Sequence, residues 1–427
     1  MLGRILSPIR AFNSQARLFF AVIVGLTMVA DGLYSVLLNL YLLRLDYGTE
    51  FIGLVNAVGL LTFGLASLPA GILGSRTSTT ALLKFGAFTC LAGGLMLPMA
   101  EWLPPGWREL GLVAPPALMF GGFAFFFVNG APFLINVVDN AYKNHAFALK
   151  AAHWSLAGFA GSLIGGILPG AIADVYGWTL ADPAPYRLTF VFGTVVLALS
   201  AILALRLRPL PPRKAQSLHE RPTNRDGAPN GWATSVLMLI VIMTVIRLFQ
   251  VAGSATAMVY FNVYMDQHLA VSTALIGAMA AIGRLTGVPT ALLTPALVQR
   301  WGNIRVVIGA SLVASLCLIP MALVEHWLAA SFGYIGAISR MSVRYTAFIV
   351  YILDLVPRKH QALMAGTGEA AAGLSFAMMA LGGGIILSLF TFRDLFLLGT
   401  LISFIGTLLF WLYVFVSKRK RKLKPAL

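Results

Sequence analysis

Residues 208–231 read RPLPPRKAQSLHERPTNRDGAPNG. This is the one long polar break in a chain of 427 residues that is otherwise dominated by apolar runs: 59% of the residues are hydrophobic and 11% are charged. Its prolines and glycines stop helices, and its charges and amides favour water. Outward from it in both directions lie runs near the roughly 20 residues that cross a bilayer as a helix. Those before the break fall near 18–43, 51–73, 80–100, 113–138, 148–172 and 187–207. Those after it fall near 234–264, 272–297, 304–324, 328–353, 362–390 and 395–416. The predicted fold is therefore an all-α integral membrane protein with twelve transmembrane helices in two six-helix bundles. The predicted boundaries are 1–207 for the first bundle, 208–232 for a linker, 233–417 for the second bundle and 418–427 for a basic tail. Soluble domains carry about a quarter charged residues. A chain this apolar needs lipid as its solvent, and in lipid every backbone polar group is satisfied inside a helix.

The net charge of +16 suggests nucleic acid only until its location is read. Of 31 lysines and arginines, 23 fall at the termini or in loops on the same face as the termini, and four (Arg44, Arg108, Arg187 and Arg393) fall in the opposite loops. Cytoplasmic loops carry the excess of basic residues, so both termini are expected in the cytoplasm, in a bacterial plasma membrane. The tail KRKRKLK (418–424) is expected against anionic headgroups. Each cation contributes about 1 kcal/mol there. No nucleic acid is expected, and the partners are a transported solute and membrane lipids, with the chain a monomer. The first apolar run is too long for the core of a signal peptide. Cys90 and Cys317 sit in apolar runs and read as small core residues. The sequence contains no P-loop, no H-E-x-x-H, no paired C-x-x-C and no G-x-S-x-G. Neither an enzyme nor a metal nor a cofactor is therefore predicted.

The halves repeat weakly. Asp139 to His145 (DNAYKNH) aligns with Asp354 to His360 (DLVPRKH) at an offset of 215, which then places Gly158 on Gly373; Ile52-Gly53 matches Ile276-Gly277. Repeated six-helix halves are a transporter architecture with the solute site near the midplane.

Six ionisable residues fall well inside spans: Asp31, Arg247, Arg284, Arg340, Arg344 and Glu369. Each costs about 2.5–3.5 kcal/mol at a helix centre, so they are expected to face a polar cavity or one another. Arg340 and Arg344, at i and i+4, share a helix face. So do Arg247, Gln250 and Ser254 on span 7 and Asp31, Ser35 and Asn39 on span 1. Span 4 offers Asn129, Asn136 and Asn140. A guanidinium's planar fork suits carboxylate or phosphate. The expected solute contacts are thus Arg344, Arg340, Arg247, Gln250, Asn129 and Asn39. Asp31 is the first candidate to carry a proton and Glu369 the second, because low dielectric disfavours an isolated carboxylate's charged form. The alternative for the arginines is simple pairing with Asp31 and Glu369. His153 on span 5 is read as a hydrogen-bonded structural residue.

The chain resembles the major facilitator superfamily across nearly its whole length. The family's loop between helices 2 and 3, G-x-L-a-D-R-x-G-R-K, is matched by Gly71, Leu73 and Arg76, with Ser75 in place of the aspartate; the second-half copy keeps Arg300 and Gly302. Gly161-Ser-Leu-Ile-Gly165-Gly166 is similar to the G-P-x-x-G-G motif of the family's proton-linked exporters, with Ser162 for the proline, and also reads as small-residue helix packing. The family's helix 4 arginine has no counterpart between Phe123 and Asn129. The resemblance implies a secondary transporter that works by alternating access, with helices 1, 4, 7 and 10 lining its cavity. It implies gating or structural roles for Arg76, Arg300, Arg284, Gly161, Gly165 and Gly166. Within that class the solute is small or amphiphilic and anionic or polar-headed. A lipid or lysolipid flippase and a drug-type proton antiporter are alternatives inside the class; a non-transporting membrane sensor or scaffold is the alternative outside it.

Overall fold

The computed structural model describes residues 12–138, 143–208, 231–356 and 358–422. The predicted linker beyond 208, the end of the tail and the residues 139–142 that open the first repeat motif lie outside the described residues. Among the described residues the chain forms twelve long helices and no strand. They are α1 (Ser14–Arg44), α2 (Thr49–Arg76), α3 (Thr79–Met99), α4 (Pro105–Val137), α5 (Lys143–Tyr176) and α6 (Ala184–Leu205), then α7 (Gly231–Val263), α8 (Thr273–Trp301), α9 (Asn303–Leu323), α10 (Trp327–Asp354), α11 (Arg358–Leu389) and α12 (Phe392–Lys422). Each predicted span is matched by a helix. Among the described residues, ten of these helices contain a stretch long and apolar enough to cross a membrane; α8 carries Arg284, and α10 carries Arg340 and Arg344. The fold is the all-α, multi-pass membrane architecture that the apolar runs predict.

Among the described residues, two of these helices include a π-helical turn. A π-helical turn, Met28–Leu33, interrupts α1 and contains Asp31; a second, Tyr264–His268, prolongs α7. A π-turn inserts a residue into the helical ladder, shifts the side chains that follow it and is frequent at functional sites.

Helix ends are set by local chemistry. Asn13 caps α1 in the way short polar side chains do. Its side-chain oxygen accepts from the Ala16 amide at 2.8 Å. Thr391 and Asp394 close the start of α12, Asp394 accepting from the Thr391 amide at 3.1 Å and hydroxyl at 2.6 Å. Before α6, the Thr179 amide and then its hydroxyl hold the Asp182 carboxyl below the usual carboxylate range. Between α8 and α9 the motif glycine, Gly302, has φ +79°. A side chain would strain that left-handed conformation.

The chain groups into two compact units. Unit 1 comprises residues up to Gln216 together with Ala270–Leu285, the opening half of α8; unit 2 comprises Ser217–Leu269 and Thr286–Leu427. In unit 1, α3 and α4 meet at Gly86 and Gly122, where an added Cβ on Gly122 would stand 2.6 Å from the Gly86 carbonyl. The Thr194 hydroxyl on α6 donates to the Gly94 carbonyl on α3 at 2.7 Å. In unit 2, α7 packs on α12, the Gly253 amide donating to the Ser403 hydroxyl at 2.7 Å. Small residues bring backbones close enough for such bonds in the absence of a hydrophobic drive between helices. Aliphatic and aromatic side chains, among them Met243, Val307, Phe348 and Phe410, fill the space between α7, α9, α10 and α12.

Candidate functional site

Two polar centres lie inside the units, and both are built from the intramembrane charges. In unit 2 a cavity of about 320 Å³ is lined by Arg247 and Val251 of α7, Met341 to Thr346 of α10 (Val343 excepted), and Glu369, Ala372 and Phe376 of α11. Arg247 is buried and its Nη2 lies 3.3 Å from Glu369 Oε1. Its guanidinium also stands over the rings of Tyr345 and Phe348, 5.1 Å and 5.3 Å from their centroids. Such a contact is favourable when the cation is desolvated. Tyr345 hydrogen-bonds Glu369 as well. Arg344 is different. It is 2% exposed, the largest fully buried side chain among the described residues, and its Nη1 has no hydrogen-bond partner. A buried donor left unmade costs about 1–3 kcal/mol, more when charged. The cavity thus holds two guanidinium groups and one carboxylate, and the acid bonds to Arg247.

The second centre is in unit 1. Arg284 forms a buried ion pair with Asp31 through Nη1 and Oδ2. The other arms of the fork donate to hydroxyls: Nη2 to Ser35 Oγ at 2.9 Å and Nε to Ser162 Oγ at 3.1 Å. Both serines pass a hydrogen bond on to the Gly32 carbonyl, inside the π-turn, at 2.8 Å and 3.3 Å. Trp154 hydrogen-bonds Asp31, and its ring meets Phe123 and Phe127 at 5.4 Å and 5.2 Å. Glycines make room for this centre. A Cβ on Gly32 would sit 2.6 Å from Gly161 Cα, one on Gly158 would sit 2.9 Å from Asp31 Oδ2, and one on Gly166 would sit 2.7 Å from Gly277 Cα.

The sequence-predicted residues are thereby sorted. Arg344, Arg247 and Glu369 come together at one cavity, and Asp31 and Arg284 at one ion pair. Gln250 is buried one turn from Arg247, both amide atoms without a partner, but it does not line the cavity. Arg340 is exposed, lies within electrostatic reach of Cys317 on α9, and is not brought to Arg344's cavity. The lining residues of α10, Met341, Ser342, Arg344, Tyr345 and Thr346, occupy an arc of the helix with Arg344 at its edge, and Arg340, about 40° further round, falls outside it. Asn39 accepts from the Asn56 amide at 2.7 Å, and the Asn129 amide donates to the Ala70 carbonyl at 3.2 Å, so each ties its helix to α2. Of the three motif glycines, Gly161 lies against the π-turn, Gly165 faces Leu33, whose carbonyl would stand 3.5 Å from an added Cβ, and Gly166 lies against α8. Arg76 and Arg300 are exposed at the ends of α2 and α8. Tyr345, Phe376 and Trp154 were not anticipated. Tyr345 adjoins Arg344 in sequence, and Ser162 stood where the motif has proline, which is the signal that could have found it.

A sequence model of the Major Facilitator Superfamily matches residues 18–343. The chain belongs to that superfamily. As a superfamily member it has the fold of several solved transporters. It covers 99% of the nucleoside transporter NupG with 93% of its own length, at a TM-score of 0.70 and 14% identity. A POT family transporter in complex with 5-aminolevulinic acid gives 0.71 and 14%, with 95% of this chain and 98% of that one covered. A D-xylose–proton symporter gives 0.70 and 13%, with 93% and 96% covered. At these identities the likeness is one of fold. No curated protein sequence matches the chain.

Proposed function

We propose that this superfamily member is a secondary transporter that binds a small anionic or polar-headed solute at the Arg344 cavity and moves it by alternating access, coupled to protons. The observation that carries the reading is Arg344: a buried guanidinium with an unmade donor, lining a cavity beside a second guanidinium and a single acid. An anion in that cavity balances the surplus positive charge. A guanidinium's bonds to carboxylate or phosphate oxygens are also roughly twice as strong as neutral hydrogen bonds. For the proton, the candidates are Asp31 and Glu369, the two intramembrane carboxylates, each held by one arginine that a conformational change can draw away. The symporter among the solved relatives shares the fold, which makes a proton gradient a reasonable energy source here.

The test is uptake of radiolabelled organic anions by proteoliposomes with an imposed pH gradient. Wild type accumulates a substrate anion, and Arg344→Gln does not bind it. Asp31→Asn still exchanges substrate but no longer accumulates it against a gradient. Wild-type affinity in Arg344→Gln removes the site; undiminished pH-driven accumulation in both Asp31→Asn and Glu369→Gln removes the coupling.

A further inference from the structure

The lining of the unit 2 cavity is divided by chemistry. Its charged groups are Arg247, Arg344 and Glu369. Arg247 is already engaged by Glu369 and by two aromatic rings, which leaves one positive charge, that of Arg344, to be matched. The remaining lining offers few free polar groups. Tyr345 is hydrogen-bonded to Glu369, and the Thr346 hydroxyl donates to the Ser342 carbonyl at 3.1 Å. What is left is Ser342's hydroxyl and an apolar wall of Val251, Met341, Ala372 and Phe376. Behind that wall lie Ala252, Ala255 and Met379, which are buried and apolar. The cavity's volume is about 320 Å³. That is at the small end of the range of roughly 300–1,000 Å³ found for ligand cavities.

From this division we infer that the ligand is a small organic monoanion with an apolar body, a carboxylate on a ring or branched hydrocarbon of about the size of phenylacetate. The inference rests on the reading of this cavity as the solute site and narrows it. With Glu369 ionised and paired to Arg247, the charge count selects one negative charge: a dianion would place an unmatched negative charge beside Glu369. The wall selects the body. A hydroxylated body of the same size would lose its hydrogen bonds to water and meet Val251, Met341, Ala372 and Phe376 instead. Each unmade bond costs about 1–3 kcal/mol, roughly five- to 150-fold in affinity. A hydrocarbon body gains from the same surface, and Phe376 gives a ring an aromatic neighbour. The carboxylate end lies toward the positive charge of Arg344, and the body lies along α7 and α11.

Isothermal titration of the purified full chain in detergent tests this with four probes: phenylacetate, its neutral amide phenylacetamide, glucuronate as a hydroxylated carboxylate, and inorganic phosphate. The expected order is phenylacetate at least tenfold tighter than each of the others. Phe376→Ala, which leaves every charge in place, is expected to weaken phenylacetate at least fivefold and to leave glucuronate unchanged. Arg344→Gln is expected to bring phenylacetate to the level of its amide. Glucuronate or phosphate binding as tightly as phenylacetate, with the binding lost in Arg344→Gln, overturns the apolar-body inference and leaves the anion site standing. Phenylacetamide binding as tightly as phenylacetate, or no anion binding to wild type, overturns the anion site and the inference with it. Unchanged phenylacetate affinity in Phe376→Ala removes the wall from recognition.

Discussion

Asp31 and Arg284 show how a costly pair is made stable in a low-dielectric interior. Their side chains are 11% and 7% exposed, so both are largely desolvated. Desolvation is offset only when geometry is good and the remaining donors are satisfied. Here Ser35 and Ser162 take the other two arms of the guanidinium, and Trp154 adds a bond to the carboxylate. Removing one partner leaves an uncompensated buried charge, which typically costs about 3–5 kcal/mol. Arg284→Met should therefore lower the melting temperature far more than Asp31→Asn combined with Arg284→Met, which removes both charges at once. Melting of the three proteins in the same detergent checks this, and equal losses in the single and double variants would mean that the pair is not coupled. Arg284→Lys should fall between, because an ammonium keeps the charge but not the fork that reaches both serines.

At the level of the helix, α5 is fitted to α1 and α8 by glycines. Gly161 lies against the π-turn of α1 and Gly166 against Gly277 of α8, while Gly170, one turn further on, has nothing within 4 Å of an added Cβ. Gly161→Ala should force α1 and α5 apart, lowering both the melting temperature and any transport. Gly170→Ala should be neutral or stabilising, by up to about 1 kcal/mol, since alanine costs less to order in a helix. Melting and uptake on the two variants side by side separate a packing seam from a general intolerance of α5. The glycine spacing was legible in the sequence, as were all twelve helices, because bilayer thickness and helical rise fix the length of each apolar run. The six interior charges were legible for the same reason: each stands out against its run. Pairing of arginines with the two acids was legible as an alternative, but not which arginine meets which acid, since Asp31 is 253 positions from Arg284 and Arg247 is 122 from Glu369. Nor was the π-turn, which changes which side chains share a face without changing hydropathy. Asn39 and Asn129 were read as cavity lining because polar residues at helical spacing look alike whether they face a cavity or a neighbouring helix.

Across the whole molecule the distribution of charge argues for one orientation. The sequence places 23 basic residues on the face of the termini and four on the other. Three of those four are held by local partners. Arg187 pairs with Glu101 at 2.6 Å and lies 5.6 Å from the Trp102 ring. Arg108 donates to the Glu101 carbonyl at 3.2 Å, and Arg44 donates to the Leu180 carbonyl at 2.8 Å while covering the Tyr186 ring. Glu101 also accepts from the Tyr41 hydroxyl at 2.6 Å, so one acid gathers α1, α4 and α6 at that end of unit 1. Orientation is set by lysines and arginines near the ends of spans, with acids contributing little. The count therefore predicts cytoplasmic termini whether or not these arginines are paired. Alkaline phosphatase fused after Leu103, in the turn between α3 and α4, should be active, and the same enzyme fused after the last residue should not. A green fluorescent protein at the C-terminus should fluoresce. The reverse pattern would place the basic face outside, against the insertion bias of 23 to four.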